Sequence, residues 1–91
     1  MAKIIVFKNK RADGSAFVRL LTVLVETPGS GWQVDQKSET PLYIRFNPIG
    51  DTSTAFAHYG SPNQIFAHNG LVRQIKKLLK DFDQQVLIVI E

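Results

Sequence analysis

The stretch Ala16-Phe17-Val18-Arg19-Leu20-Leu21-Thr22-Val23-Leu24-Val25-Glu26-Thr27 decides the fold. Read at 3.6 residues per turn, Phe17, Leu20, Leu21 and Leu24 share a face, but Val18 and Val23 are left facing water. Read at period two it is a strand, and the β-branched Val18, Thr22, Val23 and Val25 favour extended backbone. A strand here also pairs back onto residues 3–8 across Asp13-Gly14, a dipeptide suited to the positive φ angles of tight hairpins. These arguments favour the strand. The helix stays as the alternative, and it would give the order βαββαβ, the ferredoxin-like arrangement.

Working outward, Lys3-Ile4-Ile5-Val6-Phe7-Lys8 reads as a first strand, apolar on both faces. Downstream, Pro28-Gly29-Ser30-Gly31 is a break. Residues 32–37 and 42–46 then read as two strands joined by residues 38–41. In the second, Leu42, Ile44 and Phe46 share one face while Tyr43 and Arg45 share the other. Residues 47–51 read as a loop and 52–59 as a further short strand.

Residues 71–82 predict an amphipathic helix. Leu71, Val72, Ile75, Leu78, Leu79 and Phe82 fall on one side, and Arg73, Lys76, Lys77 and Lys80 on the other. The apolar run Val86-Leu87-Ile88-Val89-Ile90 predicts a closing strand inside a sheet, with at least one face covered. The expectation is a single α+β domain over residues 1–91. It has an antiparallel or mixed β-sheet of about five strands, one C-terminal helix packed on it and a C-terminal β-strand.

Composition narrows the function classes. A 44% hydrophobic, 21% charged chain of 91 residues is globular and too short for two domains. With no cysteine, a disulfide framework and a thiolate zinc site are both excluded. No run approaches the roughly 18 apolar residues of a membrane span, and the short apolar opening lacks a secretion-signal cleavage pattern. The expected compartment is cytoplasmic. The net charge of +3 gives only mild attraction to anions.

Three features carry candidate chemistry. Phe56-Ala57-His58-Tyr59-Gly60 recurs as Phe66-Ala67-His68-Asn69-Gly70, and both histidines of the chain lie in this near-repeat. If residues 60–63 turn between two strands, His58 and His68 form a metal or acid–base pair. Against this, Ser61-Pro62-Asn63-Gln64 reads equally well as the capped start of a short helix. On the plain reading of the near-repeat, Phe-Ala is buried and His-Gly is simple turn chemistry. The second feature is the basic stripe Arg73, Lys76, Lys77 and Lys80, either a phosphate-binding surface or an ordinary solvated helix face. The third is Trp32, Tyr43 and Arg45, residue types that anchor protein interfaces and also stack on bases, although Trp32 serves equally well as core.

The carboxylates are scattered and form no acid–base couple, so no catalytic residue, metal or cofactor is assigned. The expected function is a small non-catalytic binding or regulatory protein, an inhibitor or adaptor acting on a larger protein through Trp32, Tyr43 and Arg45. The alternatives are a nucleic-acid binder using the basic helix and a small enzyme or metal protein using His58 and His68. An open sheet edge would also permit a homodimer.

Overall fold

The computed structural model describes residues 2–5, 14–40, 42–61, 63–80 and 86–91. Along the chain come β1 (Ala2–Ile5), α1 (Gly14–Glu26), β2 (Trp32–Lys37), β3 (Tyr43–Pro48), β4 (Ala55–His58) and β5 (Gln64–Ala67). A 3₁₀ turn (Asn69–Leu71) then leads into α2 (Val72–Leu78), and β6 (Val86–Ile90) closes the order. The strands form one six-stranded mixed sheet in the order β1-β6-β5-β4-β3-β2. From β2 to β5 it is an antiparallel meander; β6 then lies parallel to β5, and β1 pairs antiparallel to the far side of β6.

The α+β class and the closing strand stand, but the strand expected over residues 16–27 is corrected to a helix. Phe17, Val18, Leu21 and Val25 are all buried, and at 100° per residue they fill a single arc of about 100°. The buried stripe is therefore rotated away from the one expected. It takes in Val18 and Val25 and leaves Leu20 and Val23 outside, with Val23 62% exposed. Burial of this stripe outweighs the modest helix penalty of β-branched residues, a few tenths of a kcal/mol each. The threonines adapt as well: Thr22 Oγ1 donates to the Val18 carbonyl at 2.7 Å and Thr27 Oγ1 to the Val23 carbonyl at 2.8 Å. Ser30 Oγ donates to the Val25 carbonyl at 2.8 Å, and Gly29 and Gly31, at φ +84° and +82°, turn the chain into β2.

Four further expectations change. The Asp13-Gly14 hairpin is replaced, since Gly14 begins α1 and Asp13 lies outside the described residues. The described residues form two α-helices rather than one, and with two additional strands the βαββαβ order does not hold. Asn47 and Pro48 extend β3 instead of opening a loop. The helix expected over residues 71–82 begins with the 3₁₀ turn and is α-helical over Val72–Leu78; Phe82 lies outside the described residues. Of the strand expected over residues 3–8, the part after Ile5 also lies outside them.

Strand residues alternate between two faces, and the core lies on one of them. Ile44, Phe46, Ala55, Ala57, Ile65, Ala67, Val86 and Ile88 join the α1 stripe and Leu71, Val72, Ile75 and Leu79 in a single cluster. Alanines at three of the positions on β4 and β5 leave room for the larger helix side chains. Both helices thus cover the same face, and the opposite face of the sheet has no layer over it among the described residues.

Candidate binding face

The uncovered face is built by the other half of each strand's alternation. On β3 it presents Tyr43, Arg45 and Asn47; on β4, Phe56 and His58; on β5, Gln64 and Phe66; on β6, Leu87 and Val89. All are partly exposed. Register brings these into cross-strand rows: Tyr43 sits opposite His58, Arg45 opposite Phe56, Phe56 opposite Phe66, and Phe66 beside Val89. The β4–β5 pair is the middle of the six strands, so the Phe56–Phe66 couple occupies the centre of the face.

The rings pack on one another. Phe56 and Phe66 have centroids 5.0 Å apart with planes 13° from parallel, and His58 lies 5.4 Å from Phe66 at 4°. Phe56 and His58 are 6.0 Å apart at 13°, and Tyr43 flanks Phe56 at 6.4 Å. Parallel rings lying side by side in one plane would need centroids more than about 6 Å apart. Phe66 therefore overlaps both Phe56 and His58 in offset stacks, and its partners in the cluster already occupy ring surface that a base would need.

Charge on this face is balanced. Arg45 Nε lies 3.6 Å from Asp35 Oδ2, and Arg45 Nη2 donates to Thr54 Oγ1 at 3.3 Å. A bulge between Val34 and Gln36 brings Asp35 toward Arg45. The same bulge, with Asp35 and Lys37 nearby, blunts β2 as an edge for pairing with another strand.

Trp32 is corrected from a contact residue to core. Its pairing with Pro48 turns it to the helix side, where it is 6% exposed and its ring lies 5.1 Å from Phe46. Tyr43 and Arg45 point to the other side, so the three residues do not form one surface.

The histidine pair is also corrected. The hairpin reading of residues 61–68 holds, with Asn63 in the left-handed region at φ 59° and Pro62 outside the described residues. But antiparallel strands carry a repeated tripeptide in opposite directions. Phe56 therefore meets Phe66, while the two histidines go to opposite ends of the ladder. His58 joins the ring cluster. His68 Nδ1 accepts from the Gly70 amide at 3.0 Å and caps the 3₁₀ turn. Among the described residues no group of three histidines, aspartates or glutamates could hold a metal ion.

The near-repeat does mark the site, through its phenylalanines. Small Ala57 and Ala67 point inward and Phe56, His58 and Phe66 outward, an inversion of the usual alternation that corrects the expected burial of both Phe and Ala.

Arg73, Lys76, Lys77 and Lys80 are exposed on the helix layer, as is Arg19 on α1. Open clefts border this layer, two of them beside α2. One of about 480 Å³ lies between the α1–β2 turn and α2, lined by Leu24, Trp32, Gln74, Lys77 and Leu78 among others. The other, about 710 Å³, is lined by Asp51, Asn69, Gly70, Arg73 and Lys76 among others. In the second, Asp51 accepts a hydrogen bond from the Ser53 amide at 2.8 Å. That bond, the Ser53 hydroxyl and the nearby His68 hold the Asp51 carboxyl below the ordinary aspartate range.

No family model, curated protein or solved structure matches this chain. No described helix is long and apolar enough to cross a membrane.

Proposed function

We propose that this chain is a small non-catalytic binding protein of inhibitor or adaptor type that meets protein through its open sheet face. One observation carries the reading: a stacked cluster of aromatic rings sits at the centre of a face that the described residues leave uncovered, and is bordered by polar residues. An apolar aromatic centre inside a polar rim is the anatomy of protein interfaces, whose energetic anchors are aromatic residues and arginine. Two features favour protein over single-stranded nucleic acid at this face. The rings spend their surfaces on one another, and the single arginine is already paired with Asp35.

The test is capture of protein by a tagged chain from cells that also express the untagged chain, compared with Tyr43→Ala/Arg45→Ala. The double variant is expected to lose capture while its thermal midpoint stays nearly unchanged, because both residues lie outside the core. Capture that survives the double variant would remove this face from the interface.

A second reading attaches to the helix layer. Arg19, Arg73, Lys76, Lys77 and Lys80 have no anionic partner among the described residues, a layout suited to a phosphate backbone. It requires an affinity for DNA or RNA that falls steeply with salt and weakens in Lys76→Gln/Lys77→Gln. An affinity indifferent to salt would dismiss it.

A further inference from the structure

Resting on the reading of the open face as a protein-docking surface, we propose that the protein covering it is a second copy of this chain, packed sheet on sheet. The first argument is breadth. Six strands at about 4.8 Å spacing span about 24 Å, and strands of this length run roughly 13–20 Å, giving about 400 Å² in plan. Side-chain relief raises that toward the roughly 600–1,000 Å² per partner of specific interfaces, but only if the whole face is used. A single helix, about 10–12 Å across, covers at most about half of it. A second sheet of the same width covers it all.

The second argument is charge. Among the described strand residues of β2 to β6, the charged ones on the open face, Arg45 and Asp35, pair with each other. The unpaired cations among the described side chains lie instead on the helix layer behind the sheet. Face-to-face packing directs both cationic layers outward. With sheets about 10 Å apart and a helix layer behind each, the two layers are separated by roughly 30 Å. That is well beyond the Debye length of about 8 Å in physiological salt, so these cations do not oppose association.

The third argument is symmetry. A two-fold axis lying across the strands sets ring cluster on ring cluster and Leu87 and Val89 on their counterparts. It also sets one Arg45–Asp35 pair against the other, so each region meets its like.

The experiment is solution mass by sedimentation equilibrium from micromolar to near-millimolar concentration. The wild-type mass is expected to rise from 10.2 kDa toward twice that value. Phe66→Lys, which puts two like charges at the symmetric centre, is expected to weaken association at least tenfold, whereas Lys77→Glu on the helix layer is expected to leave it unchanged. Circular dichroism checks the fold, and if Phe66→Lys is unfolded, Tyr43→Lys decides in its place. A mass fixed at that of one chain, or a dimer that survives both face variants, overturns the proposal. A monomer that captures some other protein, with capture lost in Tyr43→Ala/Arg45→Ala, overturns the second copy and leaves the docking face standing. A monomer that captures nothing overturns both.

Discussion

Leu21 and Val23 are two residues apart in α1, and truncating each to alanine tests the helix against the strand. A strand would put both side chains on the same face, so the two variants would behave alike. In the helix, Leu21 is fully buried and Val23 is 62% exposed. Leu21→Ala removes three carbons, at about 0.8 kcal/mol each, and leaves a cavity under α1, for a total cost of roughly 3 kcal/mol. Val23→Ala loses little burial and gains helix propensity, so its effect should stay within about 0.5 kcal/mol and could be slightly stabilising. For a domain of this size the first cost corresponds to a fall in Tm of about 12–24 °C, measured against almost none. Trp32, the single tryptophan and a core residue packed on Phe46, reports unfolding by its fluorescence. The assay is a urea titration of both variants, with the slope m expected to match the wild type. Equal losses of stability, or a larger loss in Val23→Ala, would refute the placement of α1.

Other expectations follow from single features. Asn63→Gly should raise stability by up to about 1 kcal/mol, since φ is 59° there and the buried Asn63 Oδ1 has no hydrogen-bond partner; a lower Tm would count against this turn. Gly31→Ala, at φ +82°, should cost about 1–2 kcal/mol in the same urea assay although nothing crowds the new Cβ. Asp51 should titrate below the ordinary aspartate range in a carboxyl NMR titration. Because its folded pKa is lowered, the stabilisation it gives the loop is present above the unfolded value and fades as pH falls through the folded one. A titration at or above the ordinary value would mean that the Ser53 hydrogen bonds are not formed. Glu26→Gln should change stability by less than about 1 kcal/mol, because its ion pair with Lys37 is about half exposed on both sides.

Much of the architecture was legible because periodicity and burial agree. The run 86–90 is apolar at every position because β6 sits between two strands and faces the core on one side and the aromatic face on the other. Tyr43 and Arg45 were separable from Ile44 and Phe46 by alternation alone. Residues 16–27 were not legible, since β-branching and helical periodicity conflict there and only the sheet beneath resolves the conflict. Trp32 depends on its register with Pro48, which lies outside its own segment. The near-repeat pointed to the right strands and the wrong side chains, because repeated tripeptides coincide in parallel strands and cross in antiparallel ones.

The pairing of β1 with β6 sets Ala2 opposite Val89, so the longest sequence separation in the sheet is also one of its shortest distances in space. Long loops must close before that pair forms, which makes it a late and slow contact in folding. Joining the two strands by a short turn and reopening the chain between β4 and β5 would convert this most distant pairing into a local hairpin. Such a circular permutant would keep the same sheet but exchange which pairing is distant, since β4 and β5 would then stand at opposite ends of the chain, and the ring cluster should become the last part to assemble.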